Sequence, residues 1–310
     1  MIGIIAKKYL SEKNFNKLRE LKYRLYCLSR WWKFKKQMSK YKIKVNNQSY
    51  FFDINNLYLI KYIPILITLT NNQKKIDVNK MFYVFINNLK IKTDKFATEF
   101  NYAIKEYNAY TPLKKGQVIL DIGAYHGLYS FYAYSKIGDT GKIYAFEPDP
   151  NNYKILLKNI KRNNLKNIIP IKKALFNKSG TQKFIVSSAG SSIYLNNHNL
   201  NGDSINNKDI ITVPTISLTD FIRKYKIKNI DFIKMDCEGS EIEICEDYLK
   251  NIYPKIKTNF AIASYHYRFD YKSKTSDLIE TLFKNKNQYN IITRNKSHLT
   301  TYITKKNKRK

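Results

Sequence analysis

From about residue 101 onward, short apolar runs alternate with segments in which apolar residues recur every three or four positions. The short runs predict buried strands, and the periodic segments predict helices. The predicted strands are 118–122, 142–146, 168–172, 183–186, 230–235 and 259–263, and the predicted helices are 99–109, 128–136, 151–163, 218–224 and 241–252. Alternation of this kind is typical of an α/β fold with a mainly parallel sheet and helices on both faces.

Residues 1–40 have a different pattern, in which basic and apolar positions alternate at helical spacing. A stripe of four leucines between residues 18 and 28 precedes Trp31 and Trp32. This pattern predicts a basic amphipathic helical segment. Two interpretations remain open: the stripe packs on the main domain or a second subunit, or the segment makes peripheral contact with a membrane surface.

Residues 41–100 contain short runs rich in aromatic and β-branched residues, separated by Asn-Asn pairs. They predict a small β-rich module. The main domain then extends over 101–296, and 297–310 is predicted to be a basic C-terminal tail. Within the main domain, 187–211 is rich in Ser, Asn and Gly, which predicts a long loop that could act as a lid.

The net charge of the 310-residue chain is +32, which suggests an anionic partner such as nucleic acid. Only eight of the 56 basic residues are Arg, the residue expected for bidentate contacts with phosphates and base edges. Lys, Asn, Ile and Tyr are all abundant, as A/T-rich codons would produce. The charge is therefore explained equally well by a binding surface and by codon usage.

The three cysteines, Cys27, Cys237 and Cys245, form no Cys-x-x-Cys pair, so neither a disulfide framework nor a zinc cluster is expected. The apolar run 57–69 is too short to span a bilayer, and no secretory signal is visible. These features favour a cytoplasmic protein with at most peripheral membrane contact.

The most informative motif is Val-Ile-Leu-Asp-Ile-Gly-Ala-Tyr-His-Gly at 118–127. In an open α/β sheet, ligands bind beyond the carboxyl ends of the strands, and glycines there let the backbone approach the ligand. The position two residues after Gly123 is Tyr125, so the dinucleotide fingerprint fails. The Asp-x-Gly-x-x-x-Gly spacing, with Asp121 and Gly127, favours S-adenosylmethionine over a nicotinamide or flavin cofactor or a turn without a ligand.

Three more strand ends carry polar side chains. Glu147, 20 residues after Gly127, is suited to bind ribose hydroxyls, and Pro148 fixes the turn after it. Asp236 ends the strand 230–235, and Lys234 within that strand should pair with a buried carboxylate. His266 follows the strand 259–263 as a candidate base near neutral pH, or as a structural histidine bonded to a carboxylate.

Three stretches of the chain resemble the FkbM family of methyltransferases: 120–130, 145–160 together with 172–181, and 230–244, where Lys-x-Asp-x-Glu-Gly-x-Glu is the most specific. The resemblance implies a class I methyltransferase fold, which is Rossmann-like, and S-adenosylmethionine as the methyl donor. The implied cofactor-binding residues are Asp121, Gly123, Ala124, Gly127, Glu147, Pro148, Ala174 and Asp236. The implied catalytic residues are Asp236, Glu238 and His266.

The sequence therefore predicts a methyltransferase that acts on a hydroxyl of a sugar, a glycan or a related small molecule. The predicted mechanism uses no metal ion, but as an alternative Asp236, Glu238 and His266 hold a divalent cation that binds the acceptor oxygen. A nucleic-acid methyltransferase and a basic nucleic-acid-binding protein are further alternatives, as is a non-enzymatic binding protein. No oligomeric state is predicted.

Overall fold

The computed structural model describes residues 42–45, 48–51, 82–86, 89–93, 103–186, 191–193, 210–268, 270–295 and 299–306. The chain divides into two compact units. One comprises Met1–Phe85 and Thr93–Phe100, and the other comprises Ile86–Lys92 and Asn101–Lys310. The predicted helical segment 1–40 and the apolar run 57–69 lie outside the described residues.

In the first unit, strands β1 (Lys42–Val45) and β2 (Gln48–Phe51) pair antiparallel, with Lys42 opposite Phe51. Strand β3 (Phe82–Ile86) lies in this unit up to Phe85, whereas strand β4 (Leu89–Thr93) belongs to the second unit up to Lys92. Strands β1 to β4 all lie within 41–100, the range for which the sequence predicted a β-rich module.

The second unit contains the remaining strands and six helices. The strands are β5 (Val118–Ile122), β6 (Lys142–Phe146), β7 (Ile168–Ile171), β8 (Ala174–Phe176), β9 (Gly180–Ile185), β10 (Ser192–Ile193), β11 (Ile210–Ser217), β12 (Phe232–Met235), β13 (Asn259–Ala263), β14 (Tyr267–Arg268), β15 (Ser273–Lys274), β16 (Tyr289–Asn295) and β17 (Leu299–Lys305). The helices are α1 (Ala103–Glu106), α2 (Leu128–Ile137), α3 (Pro150–Arg162), α4 (Leu218–Tyr225), α5 (Glu241–Asp247), which continues as a π-helix over Tyr248–Ile252, and α6 (Thr275–Phe283).

The central sheet has seven strands in the order β16-β17-β13-β12-β5-β6-β7. The five strands from β13 to β7 run parallel, and the two at the other end, β17 and β16, pair antiparallel. This topology confirms the predicted α/β fold with a mainly parallel sheet. The order reverses beside β5, so the carboxyl ends of β5, β6 and β12 converge on the crevice where such sheets bind ligands.

Helices cover both faces of this sheet. Neighbouring strand residues point to opposite sides, and those of the central strands are buried on both sides. On one face, Leu120 and Phe260 belong to an apolar core that includes Phe221 of α4 and Phe283 of α6. On the other face, the hydroxyl of Ser130 in α2 donates to Asp121 at 2.6 Å. Among the described residues, no helix is long and apolar enough to cross a membrane.

Helix α3 begins where the sequence provides its N-terminal signals. The Asp149 carboxylate accepts from the backbone N–H groups of Asn151 at 2.8 Å and Asn152 at 3.2 Å, which would otherwise lack partners at a helix start. Pro150 occupies the first turn, where its missing N–H costs nothing. The cap formed by Asp149 and the proline at the first helical position thereby fix the turn that follows Glu147.

A second sheet of four strands, in the order β10-β9-β11-β8, corrects part of the loop predicted at 187–211. Within that range Ser192–Ile193 and the start of β11 at Ile210 are strand, and 187–190 and 194–209 lie outside the described residues. Neither β8 nor β11 was predicted. The pairing of β8 with β11 is parallel and joins segments about 40 residues apart in the chain. Local composition carries little information about such a distant partner.

The predicted basic tail at 297–310 is also corrected, because Leu299–Lys305 forms β17 inside the central sheet. Its Thr-Thr-Tyr-Ile-Thr run is rich in β-branched and aromatic residues, which favours a strand. The flanking lysines obscured this signal in the sequence. The main domain therefore extends past residue 296.

Replacing Gly127 by Ala should destabilise the protein by roughly 1–3 kcal/mol, since a Cβ would crowd a packed core at a left-handed backbone position. Gly127 has φ 96°, and an added Cβ would lie 2.6 Å from Leu156 Cδ1 and 2.8 Å from Phe131 Cζ. Urea unfolding would measure the loss. Gly138→Ala is the matched control, since φ is 67° there and nothing lies within 4 Å of the added atom. Equal losses in the two variants would contradict the role of crowding.

Candidate active site

The turn after β5 lies against the turn after β12, and a glycine makes this contact possible. The backbone N–H groups of Gly123 and Ala124 both donate to Phe146 O, at 3.1 and 2.8 Å. A Cβ on Gly123, whose φ is 76°, would lie 1.9 Å from the backbone oxygen of Asp236. Any larger residue would push the two turns apart, so Gly123 brings the predicted cofactor turn and Asp236 to one place.

Asp121 is buried in an ion pair and does not face the pocket. Its Oδ1 lies 3.2 Å from Lys234 Nζ, and Lys234 also donates to the backbone oxygen of Gly123 at 2.8 Å. Burial acts to lower the pKa of Lys234, but the charges of Asp121 and Asp236 and the hydrogen bond to Asp121 together outweigh it, and the pKa is raised. Lys234 thus has the buried carboxylate partner predicted from the sequence. Asp121 supports the turn at Gly123 indirectly, through Lys234.

A pocket opens between these turns and the second sheet, with about 510 Å³ of empty space that includes open solvent. This size is within the range of small-molecule sites. Five of the eight predicted cofactor-binding residues line it: Gly123, Glu147, Pro148, Ala174 and Asp236. The lining does not include Asp121, Ala124 or Gly127. Gly127 instead allows α2 and α3 to pack closely.

Glu147 lies at the end of β6 with both carboxylate oxygens bonded to the backbone. Oε2 accepts from Tyr125 N at 2.7 Å, and Oε1 accepts from Asp149 N at 3.0 Å. Burial raises the pKa of Glu147 to about 7, although the two N–H donors act to lower it. The carboxylate is therefore fixed in orientation and poorly solvated, and additional hydroxyl donors would stabilise its charged form.

The sequence did not predict the apolar wall of the pocket. Leu175, Phe184 and Ile193, from β8, β9 and β10, line the pocket. Ser191 also lines it and donates its hydroxyl to Asp149 at 3.1 Å. Only the resemblance at 172–181 indicated that this part of the chain lies near the site.

Asp236 borders the pocket and accepts hydrogen bonds from two tyrosine hydroxyls. Tyr107 donates to Oδ2 at 2.9 Å, and Tyr265 donates to Oδ1 at 3.2 Å. Burial and the Asp236 charge raise the pKa of both tyrosines, so both remain protonated donors. Tyr107 was not predicted, because it comes from the segment after α1 and no local pattern connects it to β12.

His266 is buried between two glutamates. Its Nε2 lies 2.9 Å from Glu238 Oε2, and its Nδ1 lies 3.6 Å from Glu241 Oε1. Burial acts to lower the pKa of His266, but the two carboxylates and Asp236 outweigh it and raise the pKa to about 9. This shift argues against the predicted role as a base near neutral pH, because the ring already carries its proton there.

The loop from Asp236 to Ser240 is held by a buried arginine. Arg268, 1% exposed, donates to the backbone oxygen of Gly239 and makes two bonds to Glu243, at 2.9 and 2.6 Å. Glu238 and Gly239 have φ values of 57° and 111°. The loop thus has an unusual backbone shape that Arg268 stabilises, and Glu238 faces His266 as a result.

A parallel sheet with a glycine turn, an acidic residue after the second strand and a pocket at its carboxyl edge defines a class I methyltransferase with a Rossmann-like fold. The family model described as "Methyltransferase FkbM domain" matches residues 121–291, more than half of the chain. The chain belongs to the FkbM methyltransferase family. Membership confirms the predicted family and the predicted cofactor, S-adenosylmethionine.

Several solved structures are similar to this chain. The FkbM methyltransferase from Methylobacillus flagellatus KT is 15% identical, with a TM-score of 0.42, covering 82% of this chain and 63% of that one. Aeropyrum pernix fibrillarin with bound S-adenosyl-L-methionine is 14% identical, with a TM-score of 0.39, covering 86% and 84%. An rRNA methylase from Streptococcus thermophilus is 8% identical, with a TM-score of 0.37, covering 63% and 89%.

These identities and TM-scores are too low to carry information about the methyl acceptor. No curated protein sequence matches the chain.

Proposed function

We propose that the protein transfers the methyl group of S-adenosylmethionine to a hydroxyl oxygen of a sugar, a glycan or a related small molecule. One observation carries the proposal: Asp236, a carboxylate held by two tyrosine hydroxyls, lines the same pocket as Glu147. A cofactor-binding acid and a candidate base therefore face one cavity. This is the arrangement that methyl transfer to a hydroxyl requires.

The pocket residues fit S-adenosylmethionine. Glu147 would accept hydrogen bonds from the ribose hydroxyls, because its carboxylate is fixed by Tyr125 N and Asp149 N. Leu175, Phe184 and Ile193 provide an apolar surface for the adenine. The absence of a side chain at Gly123 lets the methionine part approach the backbone. When bound, the cofactor supplies a methyl group that is already electrophilic.

The protein's own task is to align the acceptor and remove its proton. Asp236 is the candidate base, because it lines the pocket whereas His266 does not. The hydroxyls of Tyr107 and Tyr265 hold the carboxylate in one orientation. Alignment of the reacting atoms supplies much of the acceleration, and general base catalysis typically adds about 10²–10⁴-fold.

Three exposed tyrosines, one of which contacts Asp236, support a sugar acceptor. Tyr265, Tyr267 and Tyr271 are 44%, 39% and 45% exposed, and all lie in the segment after β13. Tyr265 bonds directly to Asp236, so at least one of these rings borders the site. Aromatic rings with an apolar face and a polar tip are suited to contact the faces and hydroxyls of sugars.

The proposal is tested first by calorimetric titration of the full chain with S-adenosylhomocysteine. We expect micromolar binding that falls by at least about tenfold in Glu147→Gln, since hydrogen bonds to a charged acceptor contribute roughly 1.5–3 kcal/mol. Lys154→Gln, an exposed position on α3, is the control and should bind as the wild type does. A folded protein that does not bind S-adenosylhomocysteine would refute the proposal.

The same binding should depend on pH. With a pKa of about 7 in the free protein, Glu147 is largely neutral at pH 6 and ionised at pH 8. Ribose hydroxyls need the ionised acceptor, so affinity should fall by about tenfold for each pH unit below 7 and level off above 8. The charges that act on Glu147 besides burial are Asp149, which raises its pKa, and Lys234, which lowers it. Titrations from pH 6 to 8 would show this slope, and Glu147→Gln should remove it.

A further inference from the structure

We propose that Asp236, Glu238 and His266 form a binding site for a divalent metal ion at the edge of the cofactor pocket. One ligand atom from each residue lies within 4.8 Å of the other two. Asp236 and Glu238 also line the pocket, so an ion bound here would face the acceptor. The inference rests on the proposed function for the role of the ion, but not for its binding.

The spacing of His266 and Glu238 suits two neighbouring ligands of one ion. Nε2 and Oε2 are 2.9 Å apart, and neither ring nitrogen of His266 has a hydrogen bond of ordinary geometry. Adjacent ligands at right angles around an ion with bonds of 2.0–2.2 Å are about 3.0 Å apart. An ion that displaces the Nε2 proton to solvent can therefore bind both atoms with little movement of either side chain.

Asp236 completes the group with a small adjustment. Opposite ligands around such an ion are at most about 4.3 Å apart, so the 4.8 Å limit requires no more than about half an ångström of carboxylate movement. The Tyr265 hydroxyl already spans the two acids, at 3.2 Å from Asp236 and 3.4 Å from Glu238. Both carboxylates thus face one point near the pocket.

Glu241 provides the support that a ligating histidine usually has. Its side chain is fully buried, and Oε1 lies 3.6 Å from His266 Nδ1, on the opposite side of the ring from Glu238. Metal-binding histidines generally direct their second nitrogen at a carboxylate, which fixes the ring. Three carboxylates converge on this one imidazole, so a divalent cation would find a compensating negative charge.

The ligand set indicates the class of ion. Two carboxylates and one imidazole suit Mn²⁺, Fe²⁺ or Zn²⁺ better than Ca²⁺ or Mg²⁺, which prefer oxygen ligands throughout. The ion would hold the acceptor hydroxyl and stabilise the negative charge that develops on its oxygen. The proton would pass to the oxygen of Asp236 that does not bind the ion. This would explain why Asp236, beside the pocket, is accompanied by a buried histidine with a glutamate at each of its ring nitrogens.

The test is Mn²⁺ binding to the full-length protein, stripped with EDTA and dialysed, followed by the electron paramagnetic resonance signal of free Mn²⁺. We expect one Mn²⁺ per chain, with affinity weakened by at least roughly 10- to 100-fold in His266→Gln and in Glu238→Gln. Circular dichroism would verify that each variant is folded. Glu238 is partly exposed, so Glu238→Gln remains informative if His266→Gln unfolds.

Two controls separate this site from other acids. Asp220→Asn, an exposed acid on α4, and Glu147→Gln, inside the pocket, should both bind Mn²⁺ as the wild type does. Absence of Mn²⁺ binding by folded wild-type protein, or binding unchanged in His266→Gln and Glu238→Gln, would overturn the proposal. Titrating S-adenosylhomocysteine into the same samples distinguishes the two ideas. If the protein binds S-adenosylhomocysteine but not Mn²⁺, only the proposed ion site is refuted. If it binds Mn²⁺ but not S-adenosylhomocysteine, only the proposed methyltransferase function is refuted.

Discussion

Asp236→Asn should lower the rate of methyl transfer by roughly 10²–10⁴-fold, the usual contribution of a general base. Asn has nearly the same shape: its oxygen can accept from one of the two hydroxyls of Tyr107 and Tyr265, and its NH₂ group can donate to the other, so the fold should be retained. It cannot take the acceptor's proton. S-adenosylhomocysteine released with a sugar acceptor found by screening would measure the rate, and calorimetry should show only a small change in its affinity.

Asp231→Asn is a matched control for this variant. Asp231 precedes the same strand, β12, and its carboxylate accepts from Val118 N at 2.8 Å. It therefore lies at the amino end of the strand, opposite the edge that carries Asp236. Asp231→Asn should leave the rate per folded molecule nearly unchanged. Equal rates in the two variants would remove Asp236 from the mechanism.

The parts of the fold that depend on local pattern could be predicted from the sequence. Strands β5, β6 and β13 have the predicted bounds, because each is a short, mostly apolar run that ends at a glycine or a polar residue: Gly123, Glu147 and Ser264. Of the second sheet, only β9 was indicated, by the predicted strand 183–186. Its strand β10 has two residues, and its pairing depends on β9, which lies several residues away along the chain.

The candidate site shows the same division. Asp236 and Glu147 follow buried strands, and the position of a strand end is visible in one sequence. Tyr107 hydrogen-bonds to Asp236 across 129 residues, and its neighbours in the sequence give no sign of this contact. Asp121 was predicted to bind the cofactor, but its side chain pairs with Lys234 and does not line the pocket. The sequence does not say which face of β5 lies toward the ligand.

Variants of Lys234 and Asp121 can test whether Asp121 binds the cofactor or supports the fold through its ion pair. Lys234→Met should reduce the free energy of unfolding by about 3–5 kcal/mol, because it leaves the Asp121 carboxylate buried without its cation. Asp121 is 0% exposed and Lys234 4%, so water can compensate little for the lost partner. Urea unfolding, monitored by circular dichroism, would measure the loss.

The double variant Asp121→Asn with Lys234→Met should recover part of that loss, because no uncompensated charge remains. We expect a coupling energy of about 2–3 kcal/mol between the two positions, near the upper end for residues in direct contact. Since Lys234 also donates to Gly123 O, loosening this ion pair should weaken S-adenosylhomocysteine binding indirectly. If Asp121 bound the cofactor itself, Asp121→Asn would reduce affinity much more than Lys234→Met does. Similar losses of affinity in the two single variants would instead identify the ion pair as the feature that holds the cofactor turn in place.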